Sequence, residues 1–104
     1  MKIVAVAACT VGIAHTYMAK EAIEKECTRR GFEYKVETQG GMGIENELED
    51  EDVADADFVL LAVAIGIEGE ERFEEMADAG KVLTVDPAHV IGHPVEVIDE
   101  LIAL

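Results

Sequence analysis

Basic side chains are scarce in this chain: 8 Lys plus Arg stand against 23 Asp plus Glu, for a formal net charge of −15 over 104 residues. A field of that sign repels nucleic acid and anionic lipid, so neither is an expected partner. The same carboxylate excess suits a salty cytoplasm, where counter-ions screen the mutual repulsion. Long apolar runs are also lacking. The longest candidate, residues 58–67, lies between Asp57 and Glu68, well short of the roughly 18 to 20 apolar residues of a membrane span, and direct membrane insertion is not expected. The apolar opening, residues 1–11, runs through Gly12 and His15 into a polar helical pattern and lacks a convincing cleavage site, so it reads as a strand and not as a secretion signal. Cysteine is sparse: Cys9 and Cys27 give neither a CxxC pair nor a secreted disulfide framework, which favours a reducing compartment, the cytoplasm. With no internal repeat and no linker, residues 1–104 read as a single domain.

What is present is an alternation of strand and helix patterns. Lys2–Ala8 is rich in Ile, Val and Ala, Gly12 breaks it, and a helical pattern begins near Ala14. Along that helix Ala14, Met18 and Ala22 share one stripe and Ala19, Ile23 and Cys27 the next, while Lys20, Glu21, Glu24, Lys25 and Arg29 face water. Gly31 ends it. Residues 32–38 then alternate, with Glu33, Lys35 and Glu37 on the solvent side, as in a half-exposed edge strand. A glycine-rich loop at 39–43 and an acidic stretch with a short helix near 50–56 follow. Phe58–Val63 reads as a strand buried on both faces. A loop at 64–69, a helix at 70–79, a strand at 81–85 and a helix at 94–104 complete a βαβαβαβα order. Such alternation predicts an open, four-stranded parallel α/β sheet with helices on both faces, strand order 2-1-3-4, and a ligand at the carboxyl ends of the strands.

The segment Ala8-Cys9-Thr10-Val11-Gly12-Ile13-Ala14-His15-Thr16 carries the chemistry. Cys9 stands at the carboxyl end of the first strand and directly before a helix, whose first N–H groups lack internal partners and attract an anion. That field favours a nucleophilic thiolate and also a bound phosphate. Gly12 lets the backbone bend around a tetrahedral group, Thr10 and Thr16 add hydroxyl donors, and His15 can donate when correctly protonated. Cys27, on the inward stripe beside Ile23, reads as core. His89 and His93 read as surface loop without the further ligands of a zinc site, and the carboxylates of 45–57 lack the spacing of a calcium loop. No metal or cofactor is expected.

Several cysteine chemistries fit such a loop. A tyrosine phosphatase places an arginine six residues after its cysteine, where this chain has His15, and no Lys or Arg occurs from Ile3 to Met18. Phosphate would be held by backbone N–H groups and hydroxyls, which suits a carrier that must release its phosphoryl group. A phosphatase-like hydrolase is the alternative reading, and a module that only binds is a third. A thiol–disulfide oxidoreductase would need a second nearby cysteine.

The run from Lys2 to Ala19, with Cys9-Thr-Val-Gly-Ile-Ala-His-Thr16 at its centre, resembles the start of the fructose-type enzyme IIB domain of the bacterial phosphoenolpyruvate-dependent sugar phosphotransferase system. Val36-Glu-Thr-Gln-Gly40, Gly43-Ile-Glu-Asn-Glu-Leu48, Ala54-Asp-Ala-Asp57 and Glu71-Arg-Phe73 resemble later segments of that family, so the likeness spans nearly the whole chain. Three departures stand out: Thr10-Val11 where the family commonly has Pro-Thr, Ala64 where an Asp is expected, and the part from Gly80 on, which matches only as a strand and a helix. The resemblance implies that Cys9 accepts a phosphoryl group from a phosphohistidine on a IIA domain. It further implies transfer to a sugar, fructose leaving as fructose 1-phosphate, at a membrane-embedded IIC transporter, with residues 10–16 as the phosphate loop.

Overall fold

The computed structural model describes residues 1–9, 12–40 and 43–104, with the side chain of Ile13 excepted. Its elements run β1 (Lys2–Ala8), α1 (Gly12–Arg30), β2 (Glu33–Gly40), β3 (Gly43–Glu45), α2 (Asp50–Asp55) and β4 (Phe58–Val63). A 3-10 turn (Glu70–Phe73), α3 (Glu74–Asp78), β5 (Val82–Val85), α4 (Pro87–Gly92) and α5 (Pro94–Ile102) follow. The sheet has five strands in the order β3-β2-β1-β4-β5. β1 pairs in parallel with β2 and with β4, and β4 with β5, whereas β3 is antiparallel to β2 through Thr38↔Glu45, Gln39↔Ile44 and Gly40↔Gly43.

The expected four-stranded, all-parallel sheet is thereby corrected to a mixed, five-stranded one. The four parallel strands lie in the order β2-β1-β4-β5, and the addition is β3, only three residues long, inside a segment whose glycines read as loop. β3 covers only the Thr38–Gly40 end of β2, and Glu37, assigned to solvent by the alternation, is fully buried. The helix expected over 70–79 is a 3-10 turn followed by a short α-helix. His89 belongs to α4, where Asp86 caps the N-terminus by accepting from the Ala88 N–H at 2.8 Å and Pro87 opens the first turn.

Every residue of β1 from Ile3 to Ala8 is buried, as expected of a central strand covered on both faces. One face packs Ile3, Ala5, Ala7, Leu60 and Ala62 against α1, α4 and α5 through Ala19, Ile23, Val90, Val97, Ile98 and Leu101. The other packs Val4, Val6, Val59 and Leu61 against Leu48, Val53 and Phe73. The small alanines of β1 let α1 lie close over the strand it follows, so the strand's end and the helix's beginning are fixed by the same core.

Candidate functional site

Register decides where Cys9 emerges. Ala8 is level with Gln39 on β2 and with Val63 on β4, and the Ala64 N–H donates to the Ala8 carbonyl at 3.0 Å. Cys9 therefore leaves the sheet between Gln39–Gly40 on one side and the loop after β4 on the other, at the carboxyl end of the central strand. It is half-buried and outside any disulfide, and it lines a cleft of about 410 Å³ with Gln39, Gly40, Gly43, Ile44, Ile65, Gly66 and Glu68. This is the crevice at which open parallel sheets bind ligands.

α1 begins at Gly12, two residues before the helical pattern suggests, so its free N–H groups lie close to Cys9 in the chain. Thr10 and Val11 lie outside the described residues, as does the side chain of Ile13. Ala14 is exposed. His15 is half-buried, and its Nδ1 lies 3.9 Å from the Cys9 Sγ, a long contact whose donor depends on the imidazole tautomer. Thr16 is buried, and its hydroxyl is the one buried side-chain oxygen without a hydrogen-bond partner among the described residues. A Cβ placed on Gly40 would sit 3.9 Å from that oxygen, so the Thr16 hydroxyl faces the same strand end that lines the cleft. An orphaned hydroxyl is costly unless a ligand or water completes it.

Cys27, at the other end of α1, is fully buried, and burial followed by the nearby Glu26 charge pushes its thiol up to about 11. It is a neutral core residue, in keeping with its place on the inward stripe.

Sequence reasoning passed over a polar network beside the cleft. The Glu37 carboxylate accepts from Arg72 at 2.7 and 3.0 Å, from the Gln39 amide at 2.6 Å and from the Leu48 N–H at 2.7 Å. Burial pushes that carboxyl up, but the hydrogen bonds and the Arg72 charge outweigh it and hold the carboxyl below its ordinary range. Gln39 also grips the main chain of Glu68, donating to its carbonyl and accepting from its N–H, both at 2.9 Å. The available signal was a polar run, Glu37-Thr38-Gln39, at the carboxyl end of a strand adjacent to β1, where polar side chains would not be buried for packing alone. On the far side of β2, Tyr17 of α1 donates to Glu45 of β3 and ties the added strand to the helix.

A half-buried cysteine at the carboxyl end of a central parallel strand, next to a helix start, stands in an open α/β protein where such sheets bind ligands and where a helix favours anions. Comparison with known proteins narrows the class. The family described as "PTS system, Lactose/Cellobiose specific IIB subunit" matches residues 4–100, and the chain belongs to this family of sugar phosphotransferase IIB components, which carry phosphoryl groups. It is 57% identical over 82 residues, 79% of this chain and 73% of the relative, to the "PTS system fructose-like EIIB component 2" of Escherichia coli K12. It is 49% identical over 72 residues, 69% of this chain but 15% of the relative, to the "Fructose-like PTS system EIIBC component" of the same organism. Among solved structures, a domain of the fructose-specific IIABC component of Borrelia burgdorferi superposes with a TM-score of 0.88 at 45% identity, covering 98% of this chain and 93% of that one. The protein is accordingly a phosphotransferase component, and a phosphatase-like hydrolase finds no support among these relatives. Among the described residues no helix is long and apolar enough to cross a membrane.

Proposed function

We propose that Cys9 is the phosphoryl-carrying residue, that residues 1–104 act as one IIB domain on the cytoplasmic side of a fructose-type system, and that Thr10, Val11, Gly12, Ile13, Ala14, His15 and Thr16 form the phosphate loop. The observation that carries this reading is the place of Cys9 at the end of β1, on the cleft and ahead of α1. The Cys9 sulfur, as thiolate, attacks the phosphorus of a phosphohistidine on a IIA partner. The S–P bond forms as the P–N bond breaks, and the imidazole leaves with the electron pair. In the second transfer a hydroxyl of the sugar held by a IIC transporter attacks phosphorus, the hydroxyl proton passes to a base, and the thiolate departs. Fructose would leave as fructose 1-phosphate. Loop N–H groups at the start of α1 and the otherwise unpartnered Thr16 hydroxyl would hold the equatorial oxygens through both steps. The absence of Lys and Arg between Ile3 and Met18 keeps the phosphocysteine from being over-stabilised, as a carrier requires.

The test is incubation with a phosphorylated fructose-type IIA domain followed by intact-mass analysis. Wild-type protein should gain one phosphoryl group, mapped to Cys9, and should pass it on in the presence of IIC and fructose. Unlabelled wild-type protein, or free phosphate released as fast as label arrives, would count against the carrier.

A further inference from the structure

We propose that Gln39, backed by the buried Glu37–Arg72 pair, is a positioning residue that sets the Glu68 wall of the Cys9 cleft for phosphoryl transfer. The inference rests on the carrier reading and adds to it a device distant in sequence from the cysteine loop.

The cleft has two walls. One is the end of β2 with its β3 partner, contributing Gln39, Gly40, Gly43 and Ile44; the other is the loop after β4, contributing Ile65, Gly66 and Glu68. In the second wall Ala64, Ile65, Gly66 and Glu68 are exposed and Ile67 alone packs against the core, so packing fixes only part of it. Beyond the Ala64 N–H bond to the Ala8 carbonyl, its main chain is held by two side chains. Gln39 makes a two-point bond to the Glu68 peptide groups, and Arg72 donates to the Glu68 carbonyl at 3.2 Å and through Nε to the Gly69 carbonyl at 2.7 Å.

Both side chains are themselves locked by Glu37, which is fully buried, while Arg72 additionally donates to the Leu48 carbonyl at 2.7 Å. A bidentate guanidinium–carboxylate pair of this kind fixes direction as well as distance. Gly69 shows how closely the wall is fitted to Arg72. Its φ is +74°, and a Cβ there would lie 2.6 Å from the Arg72 Nε, so the chain can pass this guanidinium only as glycine. Glu37 thus orients Gln39 and Arg72, these hold Glu68 and Gly69, and the wall faces Cys9 across the cleft. The hydrogen bonds described for the three run to one another and to Leu48, Glu68 and Gly69. Their role is to keep the approach to sulfur open and aligned while the S–P bond forms.

The experiment compares wild type with Gln39→Met, which keeps the side chain's length and removes the grip on Glu68. Three quantities are read: single-turnover transfer from a phosphorylated fructose-type IIA domain as a function of its concentration, alkylation of Cys9 by iodoacetamide, and the melting temperature. The saturating transfer rate should fall by roughly 10- to 100-fold, the effect of a misplacement on the order of an ångström, with the half-saturating IIA concentration and the alkylation rate little changed. A merely structural role would lower the melting temperature and leave the transfer rate of folded protein intact, which would overturn the proposal. A parallel loss of alkylation would also overturn it, by placing the defect at Cys9 itself. If Gln39→Met is unfolded at the assay temperature, Arg72→Lys decides by the same split, since it keeps the charge and loses the fork. Wild type that takes no label from IIA overturns the carrier reading and this proposal together; wild type that labels, with both folded variants as fast, overturns this proposal alone.

Discussion

Each end of the sheet holds one cysteine and one buried carboxylate gripped by arginine, but the two ends attach these groups to different things. At the amino end, Glu26 accepts from Arg29 at 2.8 and 2.5 Å and from Arg30 at 2.5 Å, and Arg30 reaches on to Asp99 at 2.7 Å and the Val95 carbonyl at 3.2 Å. All of those partners are on α1 or α5, so the cluster joins one helix to another beside the inert Cys27. At the carboxyl end, Arg72 ties Glu37 to carbonyls of Leu48, Glu68 and Gly69, which lie outside helices and strands, beside the half-buried Cys9. The same charge-assisted chemistry closes a seam at one end and shapes an opening at the other.

The largest effect separates the two cysteines. Cys9→Ser should abolish labelling by phosphorylated IIA, because the acceptor sulfur is gone. Cys27→Ser should label fully and lose about 1–3 kcal/mol of stability, the cost of placing an unpaired hydroxyl in the core. Intact mass and urea unfolding read both, and a Cys27→Ser protein that stays folded but unlabelled would erase the contrast.

The arginines come next. Arg72→Met leaves the fully buried Glu37 carboxylate with only Gln39 and the Leu48 N–H, so a loss of about 3–5 kcal/mol is expected. Arg30→Met leaves Glu26 still bound by Arg29, and about 1.5–3 kcal/mol should go, the worth of hydrogen bonds to a charged group. Folded Arg30→Met should accept phosphoryl at the wild-type rate. Equal costs in urea, or slow transfer by Arg30→Met, would show that the two ends do not divide the work.

The parallel part of this architecture was legible because it is written in continuous apolar runs: Phe58–Val63 and Lys2–Ala8 could be little other than buried strands. The cysteine's position followed from Gly12 and the helical pattern behind it. β3 was not legible, because three residues carry no period and Gly43 with φ +88° reads as turn until its pairing with Gly40 is seen. Glu37 was misread for a related reason. Alternation assigns a face, but whether that face meets water depends on residues far along the chain, here Leu48 and Arg72. The resemblance placed Val36–Gly40 and Glu71–Phe73 in one family without revealing that they meet.

Acid sharpens the comparison at the amino end. Hydrogen bonds from Arg29 outweigh burial and, with the one from Arg30, hold Glu26 at about 2 against an ordinary 4.5. The folded chain therefore binds that proton less readily than the unfolded chain. The contribution is fully present above about 4.5 and is lost as pH falls toward about 2. In urea titrations across that window, Glu26→Gln should lose less stability on acidification than wild type. An identical slope would mean that Glu26 contributes nothing to acid unfolding.

The smallest expected effect concerns salt, and it acts on the two arginine clusters unequally. With a net charge of −15, screening should raise the melting temperature of every variant as salt increases, since repulsion among exposed carboxylates is relieved. The deficit of each arginine variant relative to wild type carries the finer information. Arg30 reaches Asp99, whose side chain is 60% exposed, so part of the amino-end cluster lies within reach of counter-ions. Glu37 is 0% exposed and its arginine side chain 12%, so their attraction is screened far less. Between low and molar salt, the Arg30→Met deficit should shrink while the Arg72→Met deficit holds. If both shrink alike, the carboxyl-end clamp is wetter than its burial implies and cannot fix the wall facing Cys9; if the wild-type melting temperature does not rise at all, the acidic surface is not adapted to salt.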